Sequence, residues 1–242
     1  MSSVPTLASV IKSLTSISAY KIVSAGGDTT TTANAAKDAA TILVTAATSF
    51  TNLDPIAIMG DGGSELNGWT SVSSLTVTLA RKLAIAQTAG ARVVEMAAVA
   101  MGHIAEDSAR FGGTSQSTPI PAATSSTPIG YLSGSGELTF GFGLLSFDAR
   151  SLAYAFGQDE LETGAGSASD PYQDVFGQAS VGQHGVLFFR ARGVRKDGAI
   201  VEVDFNDCTI DAAADVNISG KTVRPIPVGG RCTSIIARIW TA

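Results

Sequence analysis

The chain has 242 residues, enough for one large all-β domain or two small ones. Only 15% of residues are charged, and 16 Lys and Arg against 21 Asp and Glu leave a net charge of −5 and a pI near 5.0. That balance argues against a protein that wraps nucleic acid with its whole surface, and no apolar run approaches the roughly 18 residues of a membrane span.

The 26 glycines, with Ser, Thr and Ala dominating the remainder, suit a β-rich protein that commits much of its surface to contacts with other copies. The opening MSSVPTLASVIKSLTSISAY has no basic start before an apolar run, so no signal peptide is expected and folding should take place in a cytoplasm. Cys208 and Cys232 form no CxxC pair, and two thiols alone cannot build a structural zinc site. Both lie in strand-like apolar runs and are expected as buried free thiols. A disulfide between them requires their strands to be neighbours.

In chain order, residues 1–40 read as an N-terminal arm with a helix. Leu7, Val10, Ile11, Leu14 and Ile17 recur at helical spacing, which predicts a short amphipathic helix over 6–18. The Thr-rich stretch 26–34 reads as an extended arm or loop. Residues 41–111 read as a β module. ATILVTAATSF is a strand entering a turn at Leu53, Asp54 and Pro55. IAIMG is the next strand, and Gly60, Asp61, Gly62 and Gly63 make a second turn. A further strand carries Leu75, Val77 and Leu79 on one face. Ala, Lys and Gln over 79–89 favour a helix, but Thr/Val alternation before and glycine after favour strands and turns.

His103, Glu106, Asp107 and Arg110 lie close in sequence. A metal site needs three or four ligands and an acid–base pair needs an oriented partner, so a polar loop or strand face is expected. Residues 112–130, with three prolines and many Ser and Thr, read as a long exposed loop that excludes a central strand or helix. SGSGELTFGFGLLSF over 133–147 is a strand with Leu138, Phe140 and Phe142 on one face. Its glycines lie within the strand rather than between a strand and a helix, so they do not make a phosphate loop. Over 148–156 a helix is predicted, capped by Asp148 and stopped by Gly157. Residues 158–183, with Asp159, Glu160, Glu162, Asp170 and Asp174, read as an acidic loop without EF-hand spacing.

The most informative stretch is 185–211, GVLFFRARGVRKDGAIVEVDFNDCTID. Lys196, Asp197 and Gly198 suit a three-residue hairpin loop with Gly198 in the left-handed region. That loop sets Arg192 against Glu202, Arg190 against Asp204, Ala191 against Val203 and Phe189 against Phe205. A two-residue loop would mix charged with apolar partners, so the three-residue register is preferred. The charged face is expected to meet water or another polar surface. After it, KTVRPIPV should be an edge strand or the end of the sheet because of its prolines, and RCTSIIARIW a last strand.

Two resemblances rest on these stretches. TILVTAATSF, DPIAIMGDGG and SSLTVTLARKLAIAQTAGARVVEM, within 41–96, resemble a small β module of bacteriophage virion proteins. Residues 133–240 (strand, short helix, long loop, charged hairpin, then RPIPV) resemble the body of a long-tailed phage major tail tube protein. That resemblance covers roughly half the chain. It implies a mainly β fold, a sandwich or barrel of tail-tube type over 131–242. One short helix over 148–156 flanks it, with long inter-subunit loops and the additional β module. It implies homo-oligomeric, hexameric rings that stack into a channel for genome passage, with other tail proteins at the ends and DNA in transit. The virion tail would be the location, assembled in the host cytoplasm. No catalytic, cofactor or metal residue follows, and no enzyme activity is expected. Arg190, Arg192, Glu202 and Asp204 are the candidate polar face, on the lumen or between subunits.

Two other functions fit parts of the sequence. One is a phage head or decoration protein. The other is an adhesive, carbohydrate-binding β-protein, for which clustered exposed aromatics are expected, while only Trp69 and Trp240 are present. An enzyme finds little support in two histidines and no GxSxG nucleophile motif.

Overall fold

The computed structural model describes residues 11–23, 26–47, 50, 55–105, 108–114, 117–122, 125–133, 136–145, 162–163, 174–175, 187–210 and 225–241. The fold is mainly β with antiparallel pairing, and no helix occurs among the described residues. The expected helix over 148–156 lies outside them, as does nearly all of the 158–183 stretch.

Six strands form a closed wall. They are β1 (Ile11–Ile22), β8 (Arg92–His103), β12 (Glu137–Leu144), β15 (Leu187–Arg195), β16 (Ile200–Ile210) and β17 (Ile226–Trp240). Pairing runs β8-β1-β15-β16-β17-β12. The circle closes where Ile104 bridges Leu144, the Ala105 N–H donates to the Gly143 carbonyl at 2.7 Å and the Leu145 N–H to the His103 carbonyl at 3.1 Å. Inside lie Ile17, Phe140, Phe142, Phe189, Val203 and Phe205, all buried. Phe140 stands at the centre of the aromatic packing, with its ring centroid 5.5 Å from Phe189 and 5.4 Å from Phe205. Such ring clusters add stabilisation beyond the area they bury.

A second core sits beside this barrel. The lower half of β8 pairs with β2 (Asp28–Thr30) and with β4 (Ile56–Gly60), which continues through a two-residue turn into β5 (Gly63–Asn67). Gly63 at the end of that turn has φ +118, a conformation that side-chain-bearing residues rarely adopt. Across from β4 and β8 packs a three-stranded sheet of β3 (Thr41–Leu43), β7 (Thr76–Leu79) and β6 (Trp69–Ser73). Ile42, Ile56, Ile58, Trp69, Val77 and Val93 fill the space between. The remaining strands are β9 (Arg110–Thr114), the last strand of the main sheet, the ribbon of β10 (Ser117–Ala122) with β11 (Ser125–Ser133), and the short pair β13 (Glu162–Thr163) and β14 (Asp174–Val175).

Several expectations are corrected. Residues 11–22 are a strand and not a helix; 6–10 lie outside the described residues. The β1–β15 register shifts between Ile11 and Ser13 and again between Leu14 and Ser16, so the strand is irregular where the sequence carries helical spacing. Of the expected loop 112–130, 112–114 belong to β9, while 117–122 pair with 125–133 in a two-stranded ribbon. Its prolines are tolerated because each strand of the ribbon has one edge unpaired among the described residues. Leu75 does not share a strand face with Val77 and Leu79: it sits in the turn between β6 and β7 and is 46% exposed. Over 79–89 the expectation of strands and turns holds: Leu79 ends β7 and 80–89 run through turns and bends. Ile226, Pro227 and Val228 of KTVRPIPV share one strand, β17, with RCTSIIARIW, and that strand is interior to the sheet; 221–224 lie outside the described residues. Pro227 still follows the edge rule locally: among the described residues it pairs only with Gly143 of β12, and the β16 ladder begins at Gly230.

Candidate functional site

The hairpin of β15 and β16 has the register its loop dictates. Gly198 has φ +84, and Arg195 and Ala199 close the turn through an N–H to carbonyl bond of 2.8 Å. Arg192 faces Glu202, Arg190 faces Asp204, Ala191 faces Val203 and Phe189 faces Phe205. β17 extends the charged rungs, placing Arg238 beside Glu202 and Ile236 beside Asp204. All four predicted polar-face residues are thus together on one face of three neighbouring strands.

That face is covered. β5 lies across it, and Glu202 and Asp204 are 0% exposed while Arg190 is 6% exposed. Of the four, Arg192 alone keeps a largely exposed side chain. Of the two expected surroundings, water and another polar surface, residues from outside the hairpin exclude the first and supply the second. Arg190 grips Asp204 with two prongs, Nε to Oδ1 at 2.6 Å and a terminal nitrogen to Oδ2 at 3.0 Å. Its Nε also lies 3.2 Å from Glu202 Oε1, and its guanidinium rests 5.5 Å from the centroid of the Tyr20 ring. Glu202 takes further bonds from Arg81 and, at 2.9 Å, from Arg192. Arg238 joins Asp204 to Glu65 of β5, the latter at 2.8 Å. Glu65 also accepts the backbone N–H groups of Ala84 at 2.8 Å and Ile85 at 3.1 Å, and the Asn67 side-chain amide at 3.1 Å. Each buried charge therefore has several partners, the condition under which burying ions is tolerable.

Neutral groups finish the seam. The Asn206 side-chain oxygen accepts the Leu66 N–H at 3.1 Å, its amide donates to Ser234 Oγ at 3.1 Å, and Ser234 donates to the Ser64 carbonyl. Arg190 reaches the Leu66 carbonyl at 3.5 Å. The outer edge of β5 is in this way capped by side chains of β15, β16 and β17 instead of by another strand. An edge so capped is closed to foreign strands.

The charges respond to this setting. Burial pushes the Glu65 carboxyl above its ordinary range, outweighing the Ala84 and Ile85 N–H groups and Arg238. Burial acts on Glu202 in the same direction, but Arg190, Arg81 and Arg192 together outweigh it and hold that carboxyl low. For Arg190, burial opposes the charged form, yet Asp204 and Glu202 raise its affinity for the proton. The arrangement works as an internal clamp between β5 and the barrel.

Sequence reasoning missed Glu65, Arg81 and Arg238. Arg238 was legible as the charged member of the Ile-Ala-Arg-Ile-Trp alternation. Glu65 and Arg81 carry no local signal, because their charged partners, Arg238 and Glu202, are more than a hundred positions away. His103 is exposed at the end of β8, Glu106 and Asp107 lie outside the described residues, and no group of metal-binding side chains occurs among the described residues.

The open surface lies at the opposite end of the main sheet. β9 pairs with β12 on one side, and among the described residues nothing pairs its other side. Phe111 on β9 is 51% exposed, and a methyl group added at Gly112 would meet nothing within 4 Å. A shallow groove of about 880 Å³ runs beside it over Arg110, Thr139, Phe142, Pro227 and Gly229. A second apolar row crosses the tip of the hairpin, where Val194 pairs with Ile200 and Ile200 with Trp240; Val194 is 44% and Trp240 36% exposed. Among the described residues no helix is long and apolar enough to cross a membrane. No protein-family model and no curated protein matches the chain.

Proposed function

We propose that this chain is a structural subunit of a phage virion, a tail tube protein whose copies form stacked rings around a channel for the genome. The observation that carries the reading is the asymmetry of the main sheet. One end, β5, is capped by side chains of the same chain, whereas the other, β9, is a short edge that nothing pairs among the described residues, with Phe111 exposed on it. An edge of this kind accepts a strand or loop of another copy, and head-to-tail contacts of one kind close into a ring. The closed barrel supports the reading as a rigid body on which such contacts can be mounted, and the low charged content suits surfaces buried between copies. In this reading the chain has no catalytic role and resides in the virion tail.

The buried clamp changes one part of the expectation. Arg190, Glu202 and Asp204 are sealed inside the chain, so the channel wall must take its charge from other residues. Negative-stain electron microscopy of the purified chain tests the proposal. Rings or tubes of stacked rings are expected; a dispersed monomer at every concentration and salt condition tried counts against it.

A further inference from the structure

Cys208 and Cys232 lie directly opposite each other on β16 and β17. Both thiols are free and buried, with residue exposures of 3% and 8%. Their placement depends on a local irregularity. The β15–β16 register gains one residue between the Phe189–Phe205 and Leu187–Cys208 pairs, and Asp207 there has φ +51. A residue in that conformation within a strand marks a bulge, which re-aims the residue that follows. Cys208 and Ile210 then join Phe205 in the barrel core, and Cys232 meets Cys208 there. Directly opposed residues on antiparallel strands hold their β-carbons about 4.5–5.5 Å apart, so a small approach of the two strands brings them to the roughly 3.5–4.5 Å that a disulfide spans.

We propose that Cys208 and Cys232 are a cross-strand disulfide site, open in a reducing cell and closed under oxidising conditions outside it. The oxidant is a small-molecule disulfide. The Cys232 thiol, held low by its hydrogen bond with Cys208, loses its proton and attacks one sulfur of the reagent. A mixed disulfide forms and one reagent thiolate leaves, taking up that proton. Cys208 then gives up its proton and attacks the Cys232 sulfur. The second reagent thiolate leaves with that proton, and the protein retains the Cys208–Cys232 bond. Two protein thiols are oxidised and one reagent disulfide is reduced to two thiols. Cys208 is the poorer first nucleophile, because burial pushes its thiol up. The bond would join two central strands of the barrel across a loop of roughly 25 residues, a size for which cross-linking restrains the unfolded chain appreciably.

This inference rests on the barrel and its register, not on the assembly proposed above. The full chain is purified under reductant, then both incubated natively and refolded from urea in oxidised glutathione. Thiols are counted by maleimide labelling in denaturant followed by mass spectrometry. The expected result is loss of both labels, a peptide pair joining Cys208 to Cys232, and a melting temperature raised by roughly 5 °C over the reduced chain. Cys208→Ala should instead carry glutathione on Cys232, and Cys232→Ala should remain largely unmodified. The proposal is overturned if both thiols still label after refolding in oxidant to the native circular dichroism spectrum. Separate glutathione adducts on both cysteines, or a linked form that melts below the reduced one, overturn it equally.

Discussion

Arg190 and Asp204 stand opposite each other on β15 and β16 and make a two-pronged contact, 2.6 Å and 3.0 Å, beneath a strand that arrives from a distant part of the chain. Asp204 thereby ties together β15 through Arg190 and β17 through Arg238. Asp204→Asn keeps the shape and removes the charge that Arg190 and Arg238 share, leaving Arg190 only Glu202 and Arg238 only Glu65 as a counter-ion in a largely buried site. Removing one partner of such a pair costs about 3–5 kcal/mol. A urea titration followed by circular dichroism should show the midpoint fall accordingly. A loss below about 1 kcal/mol would mean that the clamp is not stabilising β5 on the barrel.

Glu202 sets part of the acid limb of stability. Its carboxyl is held below the ordinary value of 4.5, so it contributes stability that is present above that pH and lost as pH falls through the lower, folded-state value. Glu65 works in the opposite sense: its folded-state value is raised, so its unfavourable contribution is full at neutral pH and fades on acidification. Glu202→Gln should therefore flatten the fall in stability below about pH 4.5, whereas Glu65→Gln should remove a gain that develops on acidification above about pH 4.5. Melting temperatures measured from about pH 7 to about pH 3 for the two variants check the sign of each.

Gly230 and Gly112 make a matched pair of opposites. A methyl group at Gly230 would fall 2.0 Å from the Thr209 carbonyl oxygen and 2.9 Å from Ile210 Cα, both backbone atoms that cannot swing aside. Gly230→Ala should cost roughly 2 kcal/mol or more by prising β17 from β16. Gly112→Ala meets empty space and should stay within about 0.5 kcal/mol of the parent. Differential scanning calorimetry of both variants decides the contrast.

Assembly should depend on the β9 edge. Phe111→Asp places a charge where an apolar ring now projects, at the cost of a tilted contact with Phe205 at 6.1 Å. The monomer should lose stability only modestly, while rings and tubes disappear from micrographs and from the void volume in size-exclusion chromatography. Tubes formed as well by this variant as by the parent would place the contact elsewhere.

The sequence was most legible where a local constraint fixed a longer pattern. Three loop residues at 196–198 determine the pairing of every charged and apolar residue in the hairpin, because only one register separates Arg190 and Arg192 from Ala191 and Phe189. The turn at Asp61 and Gly62 is legible for the same reason. What covers the charged face is not legible, since Glu65 and Arg81 approach it only after the chain has folded back on itself. Alternating charge predicts one face of a sheet but not whether that face meets water. β1 misleads through its irregularity, since two register shifts interrupt the plain alternation by which a strand is recognised. The edge rule for proline holds in the immediate surroundings of Pro227 and fails for β17 as a whole, since a long strand can be one-sided at one end and central at the other.

β8 has a bearing on how the molecule comes apart. Residues 92–95 of this strand run between β2 and β4 in one core, and its residues 96–103 pair with β1 in the wall of the other. Neither hydrophobic interior can lose its share of that strand without dragging on its neighbour. The two cores should melt as one event, and cutting the chain anywhere within β8 should yield two failed halves instead of two small proteins.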